Sequence, residues 1–188
     1  MSKKDNIIKA ATQLFATQGF DGTTTKQIAE KAGATEPLLY YHFTGKDEIY
    51  TSILISVHEE YFSHLKTLQG GTDTQFERIE NLFKLHFQLI SQNPDEMVLM
   101  VTSRPAKLND PENVCSKNAQ SRIKRLRYYL SNCLKKGIKS NEFNKLRTKE
   151  TTDTLMILID GILQQGAKAK KKLVDSIVSL LQKSLVAK

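Results

Sequence analysis

Tryptophan is absent from the 188 residues, cysteine occurs twice and proline four times. Cys115 and Cys133 stand far apart, with no CxxC or Cys/His spacing, which argues against a zinc site or a disulfide framework. No apolar run reaches the roughly 20 residues of a membrane span, and the lysine-bearing start lacks the apolar core of a signal peptide. A cytoplasmic protein with no membrane partner is expected. Catalytic signatures are missing as well. His58-Glu59 begins like HExxH, but Phe62 stands where the second histidine belongs, and Gly70-Gly71 lacks the Lys-Ser/Thr end of a phosphate loop. GxSxG and GxGxxG do not occur, and His42, His58, His64 and His86 have no catalytic or metal-binding spacing. Neither an enzyme nor a cofactor or metal is expected.

Positive charge is present in excess. The formal net charge is +8 and the sequence pI about 9.4, as suits a nucleic-acid partner. Yet up to residue 46, Lys3, Lys4, Lys9, Lys26, Lys31 and Lys46 face Asp5, Asp21, Glu30 and Glu36, so most of the excess lies downstream. Charge alone gives only modest support for binding DNA, and the local pattern must carry the inference.

That pattern is TTTKQIAEKAGATEPLLYYHFTGK, residues 23–46. Before it, Asp5 can cap a helix over 5–18 whose Ile7, Ile8, Ala11, Leu14 and Phe15 recur at three- and four-residue steps, and Gly19 stops it. Phe20 is expected to drop into the core with Ile28, Leu39 and Phe43. A second helix starts near Thr25, buries Ile28, Ala29 and Ala32, and ends at Gly33, which takes a left-handed cap without a Cβ penalty. Thr35 can cap a third helix at once, with Glu36 at the positive end of its dipole and Pro37 in the first turn, where no N–H is needed. Two short helices crossing at a tight turn read as a helix-turn-helix head.

Ala10-Ala11, Leu14-Phe15, Gly19-Phe20, Thr23 to Thr25, Ile28-Ala29, Ala32-Gly33, Leu39-Tyr40, His42-Phe43 and Lys46 together resemble the amino-terminal signature of the TetR family of bacterial transcriptional regulators. The resemblance covers about the first quarter of the chain. It implies an all-α protein: a three-helix helix-turn-helix DNA-binding domain over residues 1–46 and a larger helical effector-binding and dimerisation domain over 47–188. It further implies a repressor that binds a near-palindromic operator as a homodimer and is released by a small effector. Mapped by the resemblance, Thr25, Tyr40, His42 and Lys46 grip phosphates. Ala34, Thr35, Glu36, Pro37, Leu38 and Tyr41 lie nearest base edges, where Ala, Pro and Leu can meet a thymine methyl and Glu36 can accept from cytosine N4. Many relatives carry a non-acidic residue and a glycine where this chain has Glu36 and Pro37. Glu36 either reads a base or supports the helix N-terminus and points away. A helical interaction protein whose head no longer binds DNA is the rival reading.

Downstream, a helix over 46–68 carries Tyr50, Ile53, Leu54, Val57, Tyr61, Leu65 and Leu68 on one stripe and joins the head to the rest. Gly70-Gly71 breaks it, and Asp73 opens the next helix near Thr74. That helix, to about Gln92, is apolar on more than one side and should be buried. Asn93-Pro94 leads to a short helix with Met97 to Val101, and residues 103 to 114 read as a loop. The helix that follows, to about Lys136, sets Ala119, Ile123, Leu126, Leu130, Cys133 and Gly137 on one face. Arg122, Lys124, Arg125, Arg127, Lys135 and Lys136 lie on the others, as a solvated face or a second nucleic-acid surface. Two amphipathic helices over 149–168 and 170–186 close the chain. The resemblance implies that they pair with a twofold mate through Leu155, Ile159, Gly161, Ile162, Ile177, Leu181 and Leu185; otherwise they close the monomer core. Tyr61, Phe83, His86, Phe87, Met97, Met100, Tyr129 and Met156 are candidate pocket residues for an apolar or amphipathic effector, or ordinary core. His86, on the apolar stripe with Ile79, Phe83 and Ile90, is a satisfied core histidine or a ligand contact.

Overall fold

The computed structural model describes residues 2–68, 74–102 and 110–187. The breaker Gly70-Gly71, the helix opener Asp73 and most of the loop expected from 103 lie outside them. The described residues form nine α-helices: α1 Lys3–Gln18, α2 Thr25–Lys31, α3 Glu36–His42, α4 Lys46–Thr67, α5 Gln75–Gln92, α6 Pro94–Val101, α7 Val114–Lys139, α8 Thr148–Gln164 and α9 Lys171–Leu185. There is no strand among them, only an isolated antiparallel bridge between Phe143 and Val186. The all-α expectation holds.

The chain divides into two compact units, residues 1–59 with 95–119 and residues 60–94 with 120–188. In the first, α1, α2 and α3 pack on one another around Ile7, Ala11, Phe15, Ile28, Ala29, Leu39 and Phe43. Phe15, Phe20 and Tyr50 form an aromatic cluster, with ring centroids 5.2 to 5.5 Å apart. Phe20 is half-buried rather than sunk in the core, because its carbonyl and ring serve the chain reversal before α2. In the second unit α5 is the centre. Phe76, Ile79, Leu82, Phe83, Leu85, His86, Leu89 and Ile90 are all buried, and α8, α9 and a 3-10 turn at Gly166–Lys168 pack against this helix.

Local chemistry sets the helix ends. Ser2, not Asp5, is the N-cap of α1; Asp5 is the reciprocal partner three residues on, and its carboxylate accepts the Ser2 N–H. Thr74 and Glu77 form the same box at α5. Another difference lies in α7. The helix runs past Gly137 to Lys139, and glycine is required inside it because the Phe143 ring occupies the space where a Cβ at residue 137 would stand. Its buried face holds Ala119, Leu126, Leu130 and Cys133 as expected, but Arg122, only 5% exposed, is buried with them whereas Ile123 is 40% exposed. The 149–168 helix ends early, at Gln164, and the chain tightens into the 3-10 turn around Gly166, whose φ is +51°.

The C-terminal end of the second unit is pinned by backbone. Asn144 N–H donates to Leu185 O at 2.9 Å and Ala187 N–H to Glu142 O at 2.9 Å. Glu142 has a second role, since its carboxylate accepts the N–H groups of Gln75 at 2.9 Å and Phe76 at 2.7 Å. An acceptor 66 residues away thus serves the orphan donors and positive dipole end of α5.

Candidate nucleic-acid interface and effector site

The two short helices of the head need help, because seven residues cannot sustain a helix on propensity alone. Thr24 supplies it for α2: its hydroxyl accepts the Gln27 N–H at 3.2 Å while Gln27 Oε1 accepts the Thr24 N–H at 2.9 Å. At the other end Gly33 has φ +60°. With that residue left-handed, Gly33 N–H reaches Glu30 O at 3.2 Å and Ala34 N–H reaches Ala29 O at 2.9 Å, the paired bonds of a Schellman cap. Lys3 from α1 adds an ammonium contact of 3.0 Å to Gly33 O. Thr35 then caps α3 and Pro37 occupies its first turn. Leu39 is the side chain of α3 that is wholly buried.

The face left outward carries Thr35, Pro37, Tyr40 and Tyr41, with Tyr40 53% and Tyr41 82% exposed. Ala34, Glu36, Leu38 and His42 are half-buried at its margins, as are Thr25 on α2 and Lys46 at the start of α4. The His42 ring stands edge-on to Tyr41, centroids 5.1 Å apart. Three of these residues meet. The Thr25 hydroxyl lies 3.2 Å from the Tyr40 hydroxyl and 3.4 Å from the Glu36 carboxylate. Donation from Tyr40 to Thr25 and from Thr25 to Glu36 uses each proton once. It ties the carboxylate to the first turn of α2 as well as to that of α3, where two helix dipoles favour negative charge.

Lys46 turns inward. Its ammonium donates to Phe20 O at 2.9 Å and Thr23 O at 3.0 Å and sits 4.3 Å from the Phe20 ring centroid. It holds the segment between α1 and α2 that carries Thr24 and Thr25. The side chain has two carbonyl partners and a ring before any phosphate arrives.

In the second unit the candidate effector residues are dispersed. Tyr61, Phe83, His86 and Met156 are buried. Phe87 is half-buried beside a cavity of about 430 Å³ with Gln88, Ser91 and Val174, and Tyr129 lines another of about 680 Å³. Met97 and Met100 are core residues of the first unit.

Tyr61 and His86 do meet. His86 Nδ1 is 2.7 Å from Leu82 O and Nε2 is 2.9 Å from the Tyr61 hydroxyl. A carbonyl only accepts, so Nδ1 carries the proton and Nε2 accepts from Tyr61. Burial, with the Arg122 charge beside it, pushes the imidazole down to about 4 despite the favourable Leu82 carbonyl. Burial also raises the Tyr61 phenol. Both rings are neutral near pH 7. Arg122 is less well served: Nη1 stands 3.7 Å from Asp160 Oδ1, and Nε, Nη1 and that oxygen make no hydrogen bond among the described residues. Burial likewise raises the Cys133 thiol to about 11, so it meets the larger cavity as a protonated, unreactive group.

Of the residues expected at a dimer interface, Leu155, Ile159, Ile162 and Leu185 are buried within the chain itself. Gly161 is exposed with open space beyond it, and Ile177 and Leu181 are half-buried. The outward apolar side chains are Ile157, 71% exposed, Leu180, 64% exposed, and Leu173. Amphipathic spacing locates a stripe but leaves open which edge of it the chain covers. The larger cavity was missed for another reason: its residues come from α4, α5 and α7, although Lys124, Arg125 and Tyr128 on one turn of α7 were a local signal.

Comparison with known proteins bears on the head first. Residues 7–53 match the family model of bacterial regulatory proteins, tetR family. The HTH-type transcriptional repressor KstR2 of Mycobacterium tuberculosis is 28% identical over 98 residues, 52% of this chain and 49% of that protein. The probable HTH-type transcriptional regulator YttP of Bacillus subtilis is 33% identical over 91 residues, 48% of this chain and 44% of its own. The chain spans about half the length of the curated relatives it matches. The solved structure of the ketosteroid transcriptional regulator KstR2 of Mycobacterium tuberculosis superposes with a TM-score of 0.85 over 100% of this chain and 96% of that one, at 19% identity, a likeness of fold. With its capped three-helix arrangement, the stretch 7–53 is a head of the tetR family of bacterial regulatory proteins.

Proposed function

We propose that this protein is a cytoplasmic transcriptional repressor that binds a near-palindromic operator as a homodimer and is released by a small apolar or amphipathic effector. The observation that carries the reading is the outward face of α3, with Thr35, Pro37 and Tyr41 exposed on a helix fixed at both ends by the head. A helix so mounted fits a major groove, and a twofold dimer sets its half-sites about 34 Å, or a multiple, apart. Ala34, Thr35, Pro37, Leu38 and Tyr41 meet base edges, while Thr25, Tyr40 and His42 fix the register on phosphates and Lys46 holds the segment that carries Thr25. Glu36, tied to Thr25, supports the helix ends and leaves the bases to its neighbours.

The dimer forms through Gly161, Ile177 and Leu181 with the exposed Ile157, Leu173 and Leu180. A stable pairing there covers on the order of 1,500 to 2,000 Å² in total. For release, the effector must bind one conformation better than the other. Helix α4 is the lever, since residues up to 59 belong to one unit and those from 60 to the other. Repression is supported by the name of the KstR2 relative.

Fluorescence anisotropy of labelled duplex DNA at two salt concentrations tests the reading. Binding that weakens steeply between about 50 and 200 mM salt, as counterion release requires, supports it. Duplex binding absent even at low salt would assign the head to a helical interaction protein.

A further inference from the structure

The larger cavity of the second unit, about 680 Å³, has the size of a small-molecule site and an unusual wall. Phe62 and Leu65 from α4 and Tyr128 and Tyr129 from α7 give it an apolar side. Lys66, Arg78, Lys124, Arg125 and Lys136 give it five cations, and among the described residues no carboxylate lines it. Glu142, whose charge reaches the lining residue Cys133, already accepts from the N–H groups of Gln75 and Phe76. The guanidinium of Arg125 lies 4.4 Å from the Phe62 ring centroid, so the cationic and aromatic parts adjoin. Gathered around an apolar hollow, the charges of Lys66, Lys124, Arg125 and Lys136 repel one another unless an anion joins them.

We infer that this groove binds an anionic amphiphile, an acyl or aryl body against Phe62, Leu65 and the tyrosines with a phosphate or carboxylate head among Lys124, Arg125 and their neighbours. The charge complements such a ligand, and a hollow of about 680 Å³ admits a small molecule rather than a duplex. As the class of the effector proposed above, the inference rests on that reading; as a binding site, it is measured without DNA.

Isothermal titration calorimetry of the full chain with decyl phosphate, decanol and inorganic phosphate tests it. Decyl phosphate should bind at least about tenfold more tightly than either of the others, since head and body each contribute. The double variant Lys124→Gln with Arg125→Gln, both exposed positions, should lose about tenfold for decyl phosphate and leave decanol unchanged. Lys170→Gln with Lys183→Gln, outside the lining, should change neither. Equal binding of decanol, equal binding of inorganic phosphate, or no response to the Lys124/Arg125 variant would overturn the inference. So would loss of random-duplex binding in that variant without any decyl phosphate binding, which would make the face a nucleic-acid surface. Selective decyl phosphate binding with duplex affinity unaltered upholds the site and removes the effector reading instead.

Discussion

The head and the second unit find partners for their polar groups in opposite ways. In the head the partners are near in sequence: Ser2 with Asp5, Thr24 with Gln27, Thr35 with Leu38, Thr44 with Glu48. In the second unit, the Thr74–Glu77 box and the His86–Leu82 contact apart, they are distant: Tyr61 with His86, Gln75 and Phe76 with Glu142, Arg122 facing Asp160. Neither α8 nor α9 has a side-chain cap at its start. A DNA-reading surface needs fixed backbone angles, which local caps provide. The second unit leaves more to packing, and carries buried polar groups whose partners are distant in sequence.

The contrast can be broken hardest at His86. In the unfolded chain this imidazole titrates near 6.5, in the folded one near 4, chiefly because it is buried. Between those values the unfolded chain binds a proton the folded chain refuses. His86 therefore contributes no penalty above pH 6.5, and stability falls as the pH drops from 6.5 to about 4, by roughly 3 kcal/mol in all. Urea unfolding across that range at fixed protein concentration measures it, and a His86→Gln variant should flatten the dependence. Next is Gly137→Ala. Alanine in a helix interior normally gains up to about 1 kcal/mol over glycine, but here the methyl would enter the Phe143 ring. A net loss of about 2 kcal/mol is expected, read from the urea midpoint.

The same contrast explains how much was legible. Gly33, Thr35 and Pro37 act through their own backbone, so the turn and both helices of the head were readable from a 24-residue string. The apolar α5 was readable because its side chains are buried nearly all round. Arg122 was not, since a cation beside Ile123 reads as solvent-facing, and only the packing of a whole unit turns that face inward. Lys46 was read toward phosphate because nothing local announces the carbonyls of Phe20 and Thr23, 26 and 23 residues earlier. The apolar stripe of α8 was legible in period, but only the packing of the unit decides that Leu155 and Ile159 look inward and Ile157 outward.

Smaller effects sharpen the comparison within the head. Thr24→Ala removes the cap of α2 and should cost about 1 kcal/mol by thermal unfolding, while Gln27→Ala in the Thr24→Ala background should add less than it does alone, since the two act as one box. Smallest in stability is Tyr41→Ala. At 82% exposure the change should stay within about 0.5 kcal/mol, yet lower operator affinity by about 1 to 3 kcal/mol if the ring meets a base edge. A uniform loss over all sequences would move Tyr41 to the backbone contacts.

The central claim, a twofold pair of α3 helices reading DNA, is tested most directly by selecting bound sites from random duplexes at two salt concentrations. The account predicts an inverted repeat with half-sites one helical turn or a multiple apart, recovered at low salt and weakened at high salt. Selection that enriches no motif at either salt would contradict it.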